Sequence, residues 1–417
     1  MSKINDNKLV PKLRFPEFRN EGDWIEDTLI NLAGFRRGSF PQPYGLPEWY
    51  DDINGMPFIQ VYDVGEDFRL KPKTKNKISK LAAEQSVFIP KGTVIITIQG
   101  SIGRVAITQY DAYIDRTLLL FEEFYQEIDK TFFAYILFLL FEIEKLKAPG
   151  GIIKTITKEV LSQFIVKLPK PKEQKKIGDC LSSLDEVIAA ENQRLEILNE
   201  HKIGLLQNLL PQEGETVPKF RFSEFHEIGD WEETTLTHVA DYENGKAHEQ
   251  DISDDGEFIV VNSKFISQDG EVKKFTNTSF LPATKGDVLM VLSDIPSGKA
   301  IAKCFLVEED NRYTVNQRIC RLTPRNLNSK ILYYLLNRNP YFLAFDDGVK
   351  QTNLRKEDVL NCPIMIPSDP NEQKIIADTL SSIDKLINAQ KQKVEALNNH
   401  KKGLLQGLFP EVNEVKK

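Results

Sequence analysis

Residues 173–211 read EQKKIGDCLSSLDEVIAAENQRLEILNEHKIGLLQNLLP, and residues 372–410 read EQKIIADTLSSIDKLINAQKQKVEALNNHKKGLLQGLFP. The two stretches are identical at 23 of 39 positions, so the chain carries an internal duplication. In the first copy Ile177, Leu181, Leu184, Ile188, Glu191, Leu195, Leu198, Lys202, Leu205 and Leu209 alternate steps of four and three. The second copy repeats the pattern at Ile376, Leu380, Ile383, Ile387, Gln390, Val394, Leu397, Lys401, Leu404 and Leu408. A seam kept over more than four heptads predicts one long helix per copy. Pro171 and Pro370 lie just ahead of these helices, and Pro211 and Pro410 stop them. About 33 residues at a rise of 1.5 Å give a rod of roughly 50 Å.

Three pairings are open to such a seam: packing on the helix's own domain, a coiled coil between two chains, or the two helices of one chain side by side. The third is favoured because one chain supplies both. The polar interruptions then fix the direction. A parallel pair in register would set Lys202 against Lys401, whereas an antiparallel pair lets Lys202 approach the Glu191/Gln390 layers.

The duplication extends upstream. Residues 11–29, PKLRFPEFRNEGDWIEDTL, return at 218–236 as PKFRFSEFHEIGDWEETTL, identical at 12 of 19 positions. The offset between copies is 207 there and 199 at the helices, so the second middle is eight residues shorter. Each half reads as a constant opening, a variable body and a constant close. The bodies look α+β. In the first, Thr93–Ile98 and Arg104–Thr108 form a hairpin about Gly100-Ser101-Ile102-Gly103, Tyr113–Phe121 is a strand, and Lys130–Leu146 is a helix capped by Asp129. In the second, Asp287–Leu292 is a strand, Pro296-Ser297-Gly298 a turn and Tyr313–Leu322 a strand, and a helix opens near Ser329.

Composition narrows the function. A chain of 417 residues exceeds one core. A net charge of −7 excludes a generally basic coat, so any nucleic-acid contact must be local. Cys180, Cys304, Cys320 and Cys362 show no ligand spacing and read as reduced thiols. No secretory h-region opens the chain, and the apolar run Phe132–Phe141 is half a membrane span, hence a core helix. A soluble, cytoplasmic protein is expected.

The paired P-K-[LF]-R-F-x-E-F…G-D-W-x-E openings and paired E-Q-K…L-S-S-[LI]-D…H-K-x-G-L-L-Q-x-L-x-P closes resemble the specificity subunits of type I restriction–modification systems. The resemblance covers Pro11 to Pro410. It implies two α+β target-recognition domains, at 1–170 and 212–369. Two long antiparallel, coiled-coil-like spacer helices, at 171–211 and 370–410, separate them in a pseudo-two-fold repeat, with a tail at 411–417. It further implies that each domain reads half of a split double-stranded DNA site. The helices would dock two adenine-methyltransferase subunits, which in turn recruit an ATP-dependent restriction subunit. S-adenosylmethionine, ATP and magnesium would belong to those partners, none being bound by this chain. The alternative is a scaffold binding proteins, not DNA, through two bodies and a helical spacer.

Enzyme readings are weak. No phosphate loop is present. Asn339-Pro340-Tyr341 lacks the second proline of an adenine-methyltransferase motif and reads as a helix stop. Gly100-Ser101-Ile102-Gly103 fits a hairpin turn better than a phosphate nest. His201 and His400 have no partner at metal spacing, so no catalytic or metal site is assigned. For DNA, neither body is basic overall: Lys+Arg against Asp+Glu is 23 to 22 over 1–170 and 18 to 23 over 218–367. Lys71, Lys73, Lys75 and Lys77, with Lys80 close by, would line one face of an extended segment as a phosphate stripe; a solvated loop is the other reading. Arg36 and Arg37, beside the aromatic Phe40–Tyr50 loop, suit a guanine edge. Lys273, Lys274 and Lys299 are phosphate candidates in the second body, and Lys350, Gln351, Asn353 and Arg355 offer base-reading groups.

Overall fold

Short β-branched runs set the first body. The computed structural model describes residues 9–147, 156–212 and 214–410. Its first ten strands are β1 (Ile25–Thr28), β2 (Ala33–Arg37), β3 (Met56–Ile59), β4 (Asn76–Ile78), β5 (Val87–Ile89), β6 (Val94–Thr97), β7 (Val105–Ile107), β8 (Ala112–Ile114), β9 (Leu118–Phe124) and β10 (Ile165–Leu168). Two four-stranded sheets result, ordered β2-β9-β6-β7 and β4-β3-β8-β5, while β1 and β10 pair apart. Val94, Ile95 and Ile96 are wholly buried, as strands covered on both faces must be. The β6–β7 hairpin turns through Gly100 and Gly103 at φ +70° and +85°, as the glycine spacing predicts.

The second body repeats this topology with a different sequence. Its strands are β11 (Glu232–Thr235), β12 (Ala240–Asn244), β13 (Phe258–Val261), β14 (Phe275–Thr276), β15 (Pro282–Ala283), β16 (Val288–Val291), β17 (Ser293–Asp294), β18 (Cys304–Leu306), β19 (Tyr313–Val315), β20 (Ile319–Pro324), β21 (Thr352–Asn353) and β22 (Pro363–Ile366). The sheets β12-β20-β16-β18 and β14-β13-β19-β15 match those of the first body strand for strand.

One expectation fails in both bodies for one reason. Tyr113–Phe121 is not a single strand: β8 belongs to one sheet and β9 to the other. Asp115 breaks the run, its carboxylate accepting from Thr117 N at 2.8 Å and Thr117 Oγ1 at 2.7 Å to close a tight turn. Tyr313–Leu322 divides likewise at 316–318, with Arg318 at φ +68°. Gly38 and Gly245 pass directly over these turns. A Cβ would lie 2.3 Å from Ile114 O at the first and 2.0 Å from Asn316 O at the second.

A helix covers one sheet of each body. α1 (Lys130–Lys147) buries Phe132, Phe133, Leu137 and Phe141, and Phe132 N donates to Asp129 Oδ1 at 2.9 Å, the expected cap. α3 (Ser329–Leu336) is capped by Asn328. Between them α2 (Pro171–Leu209) runs for 39 residues, and α4 (Pro370–Leu408) closes the fold with another 39. Both are longer than the seam alone predicts, because each proline is the first helical residue, where its missing N–H costs nothing. Among the described residues no helix is long and apolar enough to cross a membrane.

The described residues form two units, one running to Gln193 and resuming at Gln392, the other spanning Arg194–Lys391. Each unit holds one body with part of each long helix. Every seam residue is buried or half-buried. In the first unit Asp185 meets Lys401 and Glu191 meets Lys393, so one residue number rises as the other falls and the helices are antiparallel. In the second, Lys202 meets Asp384 while Leu209 shares a core with Ile376 and Leu380, giving the same direction.

The seam lysines do not meet the Glu191/Gln390 layers as expected. Lys202 Nζ lies 2.6 Å from Asp384 Oδ1, and Lys401 Nζ lies 2.5 Å from Asp185 Oδ1. The antiparallel register sets Glu191 beside Lys393 instead. Each aspartate also accepts a tyrosine from its own body, Tyr135 at 2.5 Å on Asp185 and Tyr334 at 2.7 Å on Asp384. Burial and that hydrogen bond push both phenols far above their ordinary range, so they remain donors.

The repeated motifs now have physical roles. Arg14 Nε and Nη2 donate to Glu173 at 2.8 and 2.7 Å, and Arg221 repeats the fork on Glu372 at 2.7 and 2.8 Å. The next residue, Gln174 or Gln373, accepts from the N–H of the cap ahead of the covering helix, Asp129 or Asn328. Opening, helix and body are thereby locked in each unit by the same three contacts.

Candidate nucleic-acid interface

Cations in the first body divide into paired and unpaired. Arg36, on the exposed side of β2, is held by Glu122 of β9 at 2.5 Å, both half open to solvent. Arg37 lies exposed at the strand's end. The aromatic loop beside them packs inward, with Phe40, Trp49 and Phe58 sharing a small core. It is Arg116, not Arg36 or Arg37, that reaches this loop, its guanidinium 4.8 Å from the Tyr44 ring. Arg116 follows the strand break at Asp115, which accepts the Tyr44 hydroxyl at 2.5 Å. Sequence reasoning missed Arg116 because it lay inside an expected continuous strand.

The lysine stripe is extended only in part. Lys77 lies in β4, whereas Lys71, Lys73 and Lys75 precede it through bends, so the four do not share one strand face. Buried Asp63 gathers the segment: its carboxylate accepts from Lys75 N at 2.9 Å, and Lys71 N donates to Asp63 O at 2.9 Å. Burial raises the Asp63 carboxyl above its ordinary value, with backbone donors and these lysines acting against the rise. Lys71, Lys73 and Lys75 are exposed, Lys77 is half-buried, and none has a salt bridge among the described residues. Lys80 is exposed at the start of the next short helix.

Lys273 and Lys274 fall at the equivalent place. Phe58 pairs with Asn76 in the first body. The β13–β14 ladder, continued by Val260 N donating to Lys274 O at 2.8 Å, puts Lys274 on that rung. Lys273 therefore corresponds to Lys75. Two sequences that share no local motif thus carry lysine at the same edge of the same sheet.

A second cluster forms where the 295–299 and 346–353 loops meet. β17 pairs with β21, aligning Ser293 with Asn353, and Gln351 Nε2 donates to Ser293 Oγ at 2.7 Å. Lys299, Lys350, Gln351 and Asn353 are all exposed there. Asp347 accepts from Val349 N and Lys350 N, and these two backbone donors hold its carboxyl below the ordinary value. Arg355 sits apart from that pairing, at the start of the short helix Lys356–Leu360, its N–H donating to Asp358.

Asn339 caps the short helix Pro340–Leu343, accepting from Tyr341 N at 2.9 Å, so the Asn-Pro-Tyr stretch starts a helix instead of stopping one. Among the described residues no group of His, Cys, Asp and Glu is placed to hold a metal. His201 and His400 are exposed on the long helices.

Comparison with known proteins matches the family model described as the type I restriction modification DNA specificity domain to residues 50–200 and again to 228–399. The type I restriction enzyme MjaVIII specificity subunit of Methanocaldococcus jannaschii is 28% identical over 309 residues, covering 69% of this chain and 71% of the relative. The MjaIX specificity subunit of the same organism is 25% identical over 400 residues, covering 89% of each. The crystal structure of a type I restriction-modification S subunit from M. genitalium covers 97% of this chain and 100% of its own, at TM-score 0.63 and 17% identity. A structure described as underlying complex assembly and conformational transition of the type I R-M system gives TM-score 0.53 at 16% identity, covering 92% and 96%.

Proposed function

We infer the work of this chain from the family to which it belongs, the specificity subunits of type I restriction–modification systems. It reads a bipartite, asymmetric site on double-stranded DNA, one half per body, as a cytoplasmic protein. The bodies at 1–170 and 212–369 are the target-recognition domains, and the two long helices are spacers that dock adenine-methyltransferase subunits. Methylation, translocation and cleavage then belong to partners, with S-adenosylmethionine, ATP and magnesium bound there and no catalytic group here.

The observation that carries this reading is a shared topology with unlike surfaces. Both bodies keep the same strand orders, yet the rung that bears Asn76 in one bears Lys274 in the other. One frame presenting two sets of polar groups is what two different half-sites require. Lys71, Lys73, Lys75, Lys77, Lys273, Lys274 and Lys299 contact phosphates, a term strongly dependent on salt. Arg36, Arg37, Lys350, Gln351, Asn353 and Arg355 supply base-edge contacts.

In an electrophoretic shift assay with its methyltransferase subunits and S-adenosylmethionine, the complex should retain one specific duplex against excess competitor. Equal retention of every duplex, or of none, would favour a protein-binding scaffold.

A further inference from the structure

Beside the lysine stripe lies a polar group of three residues that the sequence did not single out. Gln60 follows β3, Tyr62 lies in the single 3-10 turn Val61–Asp63, and Asn76 opens β4. All three side chains are half-buried. Asn76 Nδ2 donates to Gln60 Oε1 at 2.7 Å and to the Tyr62 hydroxyl at 2.9 Å, and that hydroxyl donates in turn to Gln60 Oε1. The ring of contacts uses one end of each amide. Gln60 Nε2, a donor, and Asn76 Oδ1, an acceptor, have no hydrogen bond among the described residues.

The turn has a tie besides these amides. Asp63, 1% exposed, already ties it, accepting from Gln60 N at 2.8 Å and Lys75 N at 2.9 Å. A cation stands over the group, with Lys75 Nζ 5.0 Å from the Tyr62 ring centroid. The second body uses the corresponding positions otherwise: Asn262 caps a helix by accepting from Phe265 N, and Lys274 replaces Asn76. The triad is therefore not part of the common frame.

Resting on the DNA-reading assignment, we propose that Gln60 and Asn76, oriented by Tyr62, read one base of the half-site recognised by the first body, with the flanking lysines on its phosphates. One free donor beside one free acceptor complements the major-groove edge of adenine, which offers N7 as acceptor and N6 as donor. Guanine offers two acceptors there, cytosine a donor and thymine an acceptor with a methyl group. Tyr62, its phenol pushed up to about 12 by burial and then by Asp63, keeps its proton and holds both amides.

The test uses the full chain assembled with its methyltransferase subunits, and competing duplexes carrying each of the four bases at every site position. Gln60→Leu and Asn76→Ala should each reduce discrimination at one and the same adenine by roughly 5-fold to 150-fold, leaving the other half-site unchanged. Tyr62→Phe, which removes only the joining hydroxyl and should fold normally, should weaken that same position. Lys73→Ala should lower affinity for all sequences alike and flatten the salt dependence. Unchanged discrimination in the amide variants, a uniform loss across all bases, or an affected base other than adenine would overturn the inference alone. A wild-type complex without sequence preference would overturn the DNA-reading assignment beneath it.

Discussion

Replacing Glu372 with alanine removes the acceptor of three donors at once. Arg221 Nε and Nη2 reach it at 2.7 and 2.8 Å, and Trp231 Nε1 at 3.1 Å. The glutamate side chain is 0% exposed and the arginine 9%, so the guanidinium left behind stays in the interior. Among the described residues its remaining hydrogen-bond acceptors are Ile228 O at 2.7 Å and Gly229 O at 3.1 Å, which supply no charge, and the Asp230 carboxylate acts on it more weakly than Glu372. An uncompensated buried charge of this kind costs about 3–5 kcal/mol. For a unit of the size of Arg194–Lys391, that lowers the melting midpoint by roughly 6–20 °C. The double variant Arg221→Met, Glu372→Leu removes both charges and should recover most of the loss, within about 1–2 kcal/mol of wild type. Arg36→Ala is the contrast, because its partner pair is 49% and 44% exposed and should contribute about 0–1 kcal/mol. Calorimetry and urea unfolding of the four proteins measure all these terms. A Glu372→Ala loss below about 1 kcal/mol, or a double variant no more stable than Glu372→Ala, would refute the reasoning.

Exchanging residues 30–165 for the body of a relative should change one half of the methylated site and preserve the other, as sequencing of modified adenines would show; change in both halves contradicts separate reading. Inserting four residues after Leu198 adds about 6 Å of helix and rotates the downstream part of the chain by about 40°. The half-site sequences should survive while the unread gap lengthens or binding fails, and an unchanged gap at full activity rules the helices out as spacers. Burial pushes the Cys304 thiol far up and those of Cys320 and Cys362 up to about 12, so these three stay protonated through about pH 9. Alkylation followed by mass spectrometry should label half-buried Cys180 alone in the native chain, and early labelling of Cys320 would contradict the fold.

The features legible in the sequence were local or repeated. The long helices and their direction come from a seam with a lysine in matching layers, and the covering helix from the Phe132–Phe141 run. The partners of those lysines could not be read. Asp185 and Asp384 stand off the heptad seam, and the tyrosines that also hold them, Tyr135 and Tyr334, come from the bodies. The pairing of Arg36 with Glu122 was equally hidden, because Glu122, 86 residues away, lies across β2–β9, a pairing that no local pattern encodes. The strand break falls on the polar triplet Asp115-Arg116-Thr117, a turn signal outweighed by the apolar residues on either side, and the contact that closes it, Asp115 with Thr117, shows only in the fold. The tail expected at 411–417 lies outside the described residues.

The sharing of both long helices between the units has a consequence for biosynthesis. The core around Trp24 and Phe132 is closed by Phe409, whose ring lies 6.2 Å from Trp24 and 5.4 Å from Phe132, and Leu13 N donates to Gly407 O at 2.8 Å. These contacts span almost 400 residues, whereas Arg194–Lys391 is continuous. At a ribosomal rate of about 5–20 residues per second, the finished first body waits roughly 10–50 s for its last wall. The half translated second can therefore mature first. A ribosome that stalls before Gln392 releases a chain with one finished half and one open apolar cleft, a natural substrate for chaperones and proteases.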